Sequence, residues 1–421
     1  MEPVTVSVAA DLRGRSDRTT AGLLVLAIVV LALNLRGPIV AVSPVLDAIR
    51  ADLDIGAGTA GLLTSLPVLC FALATPLAAA LLGRTGLERG VLVALGALLA
   101  GTLLRSADGL TAAIVGTLVI GVAITVGNVA VPVVIGRDVS PRRAGLVLGT
   151  YTAALNVGSM ITLSLTVPIA AATGWRTALA VWGGLTVVAA GIWWAGTRGS
   201  AARAAAAAGD VAPDAPAGPL WWRRPIVWGL TIAFAGQAFA YYGVTAWLPL
   251  LLRDELGMDA TAAGVSSSIF QISAVVGAFG VPVLLRLFPG PLPALLAVCA
   301  AWSALPLGLL LAPGQWALWC ALGGIAQGGG ITVIFTLIVR RARDLGENRR
   351  MSALVQGGGY LVAATGPTVV GAVHEATGGW TAPLLVVLTA IGVLTVAGTL
   401  SAASRRPAGV SIDAARGTST P

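Results

Sequence analysis

The sequence predicts an all-α membrane protein with twelve transmembrane helices in two six-helix repeats. Three observations carry that expectation: an apolar and charge-poor composition, arginines confined to alternate loops, and motifs that recur at a shift of 203 positions.

Hydrophobic residues make up 57% of the 421 residues and charged ones 10%, with a mean hydropathy of +0.90. Soluble domains carry roughly a quarter charged residues, so most of this chain must face lipid or other buried helices. Twelve apolar stretches cover about 21–49, 58–83, 89–105, 110–136, 143–172, 175–197, 225–252, 260–287, 291–312, 315–340, 350–374 and 380–402. Each approaches or exceeds the roughly 20 residues that an α-helix needs to span a bilayer. The many glycines and alanines in them let membrane helices approach closely.

The net charge of +8 does not indicate a nucleic-acid partner. All 26 basic residues are arginine, and they cluster in short loops. One set of alternate loops and termini holds 21, among them Arg84, Arg89, Arg137, Arg142, Arg143, Arg340, Arg341, Arg349 and Arg350. The opposite set holds four: Arg50, Arg105, Arg176 and Arg253. Cytoplasmic loops carry the arginine excess, which places both termini in the cytoplasm and makes the helix count even. The arginine clusters are expected to meet lipid head groups, and those at 137–143 and 340–350 could also latch an inner gate.

The domain boundaries follow. Residues 1–20 form a polar N-terminal segment without a signal-peptide cleavage pattern, 21–197 the first six-helix bundle and 225–402 the second. Residues 198–224, rich in Ala, Pro and Asp, read as a cytoplasmic linker, and 403–421 as a cytoplasmic tail. The two halves resemble each other. Arg50-Ala51-Asp52-Leu53 recurs as Arg253-Asp254-Glu255-Leu256, and Ala60-Gly61 as Ala263-Gly264. Pro141-Arg142-Arg143 answers to Asn348-Arg349-Arg350, and Thr173-Gly174-Trp175 to Thr377 through Trp380. Four matches in one order favour an internal duplication, and two parallel repeats around a midplane site are a transporter arrangement.

One arginine belongs to neither loop set. Arg36 stands near the middle of helix 1, in Asn34-Leu35-Arg36-Gly37-Pro38. A charge at the bilayer centre costs at least ~2.5–3.5 kcal/mol on insertion scales, so it should face the protein interior or a wet cavity. Pro38 has no N–H to give the carbonyl of Asn34, and Gly37 loosens the helix there. No Asp or Glu stands mid-helix to neutralise Arg36. An anionic solute is therefore its expected partner; the competing role is packing or gating, with backbone carbonyls holding the guanidinium.

The rest of a polar cavity would come from uncharged groups: Asn34, Asn128 in helix 4, Tyr151 and Asn156 in helix 5, Gln237 and Tyr241 in helix 7, Gln271 in helix 8, Gln327 in helix 10, and Gln356 and Tyr360 in helix 11. Gln237 with Tyr241, and Gln356 with Tyr360, are spaced four apart and share a helix face. Each could equally serve an interhelical hydrogen bond, worth about 0.6 kcal/mol on average in membranes. A proton relay is not evident. His374, the one histidine, and Glu375 stand at the outer end of helix 11 and Asp47 near that of helix 1; all three read as solvated helix ends. A weak-acid substrate could carry the proton itself.

Several classes are disfavoured. An intramembrane enzyme needs clustered His, Asp or Cys within helices, whereas Cys70, Cys299 and Cys320 are scattered in apolar runs. No disulfide, metal site or cofactor is expected. The chain has no lysine, hence no phosphate-binding Gly-x-x-x-x-Gly-Lys loop for ATP-driven transport. A receptor without transport would usually bring a soluble signalling domain.

The run Asn34-Leu35-Arg36, Ser43-Pro44-Val45-Leu46, Ile49-Arg50-Ala51-Asp52-Leu53, Ala60-Gly61-Leu62-Leu63-Thr64 and Leu66-Pro67-Val68-Leu69 resembles the cyanate / 2-nitroimidazole transporter family of the major facilitator superfamily. Gly86-Leu87-Glu88-Arg89, and Tyr242-Gly243 with Trp247-Leu248-Pro249, fit it too. The resemblance implies the major facilitator fold in the inner membrane of a bacterium. It also implies secondary active transport of a small, often anionic solute by alternating access, with Arg36 on the family's Asn-Leu-Arg motif. Symport, exchange and proton coupling stay open, and the chain is expected to act as a monomer. Two features depart from the superfamily. Gly83 stands where an acid is expected before Arg84-Thr85-Gly86, and Gly158-Ser159 replaces the Gly-Pro of drug–proton antiporters. An exporter of neutral or drug-like toxic compounds is the alternative.

Overall fold

The computed structural model describes residues 4–139, 141–197, 221–288, 290–343 and 345–403, and these are helical apart from short connections. A backbone inside lipid has no water to bond, so it must satisfy its own N–H and C=O groups, which an α-helix does.

Helix 1 runs Val4–Val40 and resumes, after the turn Ser43–Val45, as Leu46–Leu53. The chain is thus helical well before residue 21. Helix 2 is Ala57–Leu73 and Thr75–Thr85, with a 62° bend between the segments. Helices 3 to 6 are Leu87–Arg105, Leu110–Asp138, Pro141–Thr173 and Trp175–Thr197. In the second half, helices 7 to 10 are Pro225–Leu256, Ala260–Leu287, Leu292–Leu311 and Trp316–Arg341. Helix 11 is split into Leu345–Ala363 and Gly366–Thr377, and helix 12 is Thr381–Ala403.

By length and composition nine helices among the described residues could cross a membrane, ten with the bent helix 2. Helices 7 and 11 complete the twelve, and they carry the Gln237–Tyr241 and Gln356–Tyr360 pairs. Most of the linker expected at 198–224 and the tail expected at 403–421 lie outside the described residues.

The duplication is visible in the packing. In the first half helix 1 packs on helices 5 and 6, helix 4 on helices 2 and 3, and helix 3 on helix 6. In the second half helix 7 packs on helices 11 and 12, helix 10 on helices 8 and 9, and helix 9 on helix 12. These are the same pairs six helices on. Left-handed residues that end or begin helices recur too: Asp54 and Gly257 are 203 positions apart, Gly86 and Gly290 are 204 apart, and Gly174 and Gly378 are 204 apart. Glycine is suited to positive φ because it has no Cβ to clash.

The halves meet through helices 2 and 11 and helices 5 and 8. Gly61 of helix 2 lies on the backbone of Pro367 and Thr368, where a Cβ would stand 2.9 Å from the Pro367 carbonyl oxygen. Gly264 of helix 8 lies on the Leu163 carbonyl of helix 5, also at 2.9 Å. The duplicated Ala-Gly motif therefore makes both contacts. At that end, Ser43 donates to the carbonyls of Thr245 (2.8 Å) and Ala246 (2.6 Å) in helix 7, and Ser65 and Thr368 share a hydrogen bond of 3.0 Å. Asp47 pairs with Arg253 at 2.7 Å, and the Gly58 N–H at the start of helix 2 donates to Glu375 at 3.5 Å.

At the opposite end, where helices 6 and 7 connect, ion pairs join helices within one half. Arg137 of helix 4 meets Glu88 of helix 3 at 2.6 Å, and Arg224 before helix 7 meets Glu347 of helix 11. Glu88 thus supplies an acid near the position where Gly83 lacks one. The bent second segment of helix 2 packs on helices 3 and 4 of its own half.

Candidate substrate-binding site

Arg36 is placed by three features of helix 1. Gly158 of helix 5 lets the two backbones touch: a Cβ there would stand 2.5 Å from the Leu33 carbonyl oxygen. Gly37 has its Cα face against the Thr162 hydroxyl. Pro38 interrupts the hydrogen-bond ladder. Arg36 as a residue is partly exposed, unlike its helix neighbours Leu35, Gly37 and Pro38, which are buried.

Its Nη1 donates to the Asn156 Oδ1 at 3.2 Å, and its Cζ lies 5.1 Å from the ring centre of Tyr241. A cation over a tyrosine face is attracted by the ring quadrupole. Of the chain's four tyrosines, Tyr241 faces the guanidinium directly, and Tyr242 and Tyr360 follow it ring to ring at 4.8 and 6.5 Å. Among the described residues no carboxylate comes within ion-pair distance of it.

The tyrosines come from both halves. Tyr151 of helix 5 donates to Asn128 of helix 4 at 3.3 Å. Tyr241 of helix 7 donates to Gln271 of helix 8 at 3.3 Å, and Gln271 donates to Thr245 at 3.2 Å. Tyr360 of helix 11 packs edge-on against Phe71 of helix 2 (5.5 Å) and Phe234 of helix 7 (5.2 Å), and Tyr242 packs on Tyr241 at 4.8 Å. The result is one cation with planar aromatic and amide neighbours across the seam between the halves.

The expected polar residues divide into two groups. Arg36, Asn156, Tyr241, Gln271 and Tyr360 are connected by these contacts, Tyr360 through Tyr242 at 6.5 Å, while Asn128 and Tyr151 bond to each other. Asn34, two residues away and hence on another helix face, is 1% exposed and holds helix 1 to helix 6. It donates to Val30 and Leu185 carbonyls and accepts from Thr186 at 3.0 Å. Gln237 is likewise absorbed in packing: it donates to the Gln327 carbonyl at 3.0 Å and accepts from Trp302 at 2.9 Å. Gln327 keeps a buried Nε2 without a partner. Gln356 is partly exposed and donates to its own helix at Ser352.

Two residues near the site are not marked by the sequence as lying there. Tyr242 stands out only as part of a family motif, although the rarity of tyrosine is itself a signal. Arg105 reads from sequence as an outer-loop residue. It is instead 1% exposed, with its guanidinium on the Pro38 carbonyl of helix 1. Its place at the end of an apolar run resembled a loop because sequence does not reveal which way a terminal side chain folds.

A duplicated twelve-helix bundle with a cationic and aromatic site between its halves is the architecture of a solute transporter. Residues 23–346 match the model of the Major Facilitator Superfamily, and the chain belongs to that family. It is a multi-pass membrane transporter and not an enzyme. Among curated relatives it is 34% identical to the uncharacterized transporter YycB of Bacillus subtilis (strain 168), over 89% of this chain and 92% of that one. It is 30% identical to the 2-nitroimidazole transporter of Escherichia coli (strain K12), over 86% and 91%. It is 27% identical to the cyanate transport protein CynX of the same organism, over 85% and 91%. The fold matches that of a bacterial homologue of the human lysosomal transporter Spinster, with a TM-score of 0.72 at 14% identity, over 91% of this chain and 97% of that one.

Proposed function

We propose that this transporter moves a small planar anion, or a weak acid that binds as its anion, by alternating access about Arg36. The observation that carries the reading is a partly exposed mid-helix arginine whose guanidinium has an amide and a tyrosine ring as neighbours and, among the described residues, no carboxylate within ion-pair distance. A cation kept in that setting is completed by an anion. The flat tyrosine faces suit a planar solute, and the names of two relatives, a 2-nitroimidazole and a cyanate transporter, accord with such a ligand.

With both termini in the cytoplasm, the end held by Asp47–Arg253, Ser43 and the two glycine contacts would face outward. Opening outward requires the halves to part there and to close at the other end. The solute would cross a bacterial cytoplasmic membrane, with the protein acting as a monomer in contact with lipid. Proton coupling needs no buried carboxylate if the substrate binds deprotonated and carries its proton in solution.

The test is uptake into proteoliposomes of labelled cyanate, 2-nitroimidazole and short carboxylates, with and without a proton gradient, for wild type and Arg36→Ala. Gradient-driven uptake of one compound, lost in folded Arg36→Ala, supports the reading. Across ligands of different acidity, affinity should fall as pH drops below each ligand's own pKa. Undiminished transport by Arg36→Ala would remove the anion anchor. It would favour the second reading, export of neutral aromatic compounds, which the Phe71, Phe234, Tyr242 and Tyr360 cluster supports.

A further inference from the structure

Arg105 ends helix 3, where its backbone is pinned. A Cβ on Gly116 of helix 4 would stand 2.3 Å from the Arg105 nitrogen, so the two helices touch directly. The side chain is fully enclosed, yet it makes no ion pair among the described residues. Its Nη1 donates to the Pro38 carbonyl, and Nε and Nη2 are buried without a partner. A buried cation with one nitrogen on one carbonyl and two nitrogens unpartnered calls for an explanation.

The carbonyl it meets supplies one. Helix 1 stops at Val40, and Pro38 lies in its last turn, two residues beyond Arg36. The final carbonyls of a helix lack intrahelical partners, and a cation there is favoured by the helix dipole. Helix 1 is also weakened at this point by Gly37 and Pro38. We propose that Arg105 is a positioning residue for transport: reaching from helix 3, it caps the broken end of helix 1 and thereby holds Arg36 at its angle to Tyr241 and Asn156. The proposal rests on reading Arg36 as the substrate anchor. It assigns Arg105 no contact with the solute.

The test uses the full-length chain in nanodiscs with Arg105→Gln and Arg105→Lys. Gln is too short to reach Pro38 and carries no charge; Lys keeps the charge and a donor. Two readouts need no substrate: hydrogen exchange of the amides from Gly37 to Ser43, and the rate at which phenylglyoxal modifies Arg36, both followed by peptide mass spectrometry. A hydrogen bond from a charged donor corresponds to roughly tenfold in an opening equilibrium. Arg105→Gln should therefore speed exchange and shift Arg36 modification by several-fold, with Arg105→Lys within about twofold of wild type. Wild-type behaviour of folded Arg105→Gln, or an Arg105→Lys protein disturbed as strongly as Arg105→Gln, would overturn the cap; with only one variant folded, that one decides. Uptake of labelled 2-nitroimidazole is measured alongside, where the cap predicts a raised KM rescued by Lys. Absent wild-type uptake would count against the substrate reading alone, since the two probes of helix 1 do not depend on it.

Discussion

The Asp47 carboxylate of the first half accepts a hydrogen bond from Arg253 of the second half at 2.7 Å, while Arg50, the repeat counterpart of Arg253, stands 3.6 Å from the other oxygen. One acid is thus shared by the two copies of a duplicated arginine. Arg253 comes from across the seam, whereas Arg50 sits one turn away on the same helix. If the halves part as proposed, Arg253 would leave and Arg50 would keep Asp47 compensated.

Asp47→Asn should loosen this end. Each partner is about a third exposed, and pairs of that kind contribute about 0.2–1 kcal/mol, so the population open at this end should rise by less than about tenfold. The measurement is maleimide labelling of Ser65→Cys, a buried position at the seam, in a chain with Cys70, Cys299 and Cys320 replaced by alanine. Unchanged labelling would separate the ion pair from the gate.

The paired glycine contacts should matter more. Valine at Gly61 or at Gly264 drives its Cβ into a backbone carbonyl of the opposite half, and backbone cannot swing aside as a side chain can. Either substitution should hold this end open and raise Ser65→Cys labelling beyond the Asp47→Asn level. Equal effects at the two positions would accord with their equivalence in the duplication.

Tyr241 offers a test of the cation–ring contact. Phenylalanine there keeps the face beneath Arg36 and loses only the hydrogen bond to Gln271. Tyr241→Phe should transport with a KM within a few-fold of wild type. Tyr241→Leu removes the ring, a loss of about 0.5–2 kcal/mol, and should raise KM by at least about twofold beyond Tyr241→Phe.

Asn34 is expected to behave differently despite its place in the Asn-Leu-Arg motif. Its polar atoms are committed to Val30, Leu185 and Thr186. Asn34→Ala should lower the thermal midpoint in detergent, by an amount fitting a loss of about 0.6–1.7 kcal/mol, and leave KM near wild type. A large KM change with unaltered stability would return Asn34 to the binding site.

The contrast between Asn34 and Arg36 shows how far the site could be read from sequence. Burying an isolated charge in lipid is so costly that Arg36 stood out without a structure, and the lack of a mid-helix acid followed from the same text. For neutral amides no such penalty decides the role. Asn34, Gln237 and Asn156 look alike in sequence, and only helix rotation sends two into packing and one to Arg36.

What the sequence determined by itself is whatever local chemistry enforces. Apolar length set the spans, arginine placement set the expected orientation, and the shift of 203 set the twofold plan that Asp54 and Gly257 repeat in their left-handed φ. The tertiary structure alone decided which copies of a repeated element touch. It placed Gly61 on Pro367 and Gly264 on Leu163, brought Tyr241, Tyr242 and Tyr360 of helices 7 and 11 together beside Arg36, and turned Arg105 inward onto Pro38. Those contacts join residues far apart in the chain, and their geometry depends on how rigid helices pack, which no local pattern encodes.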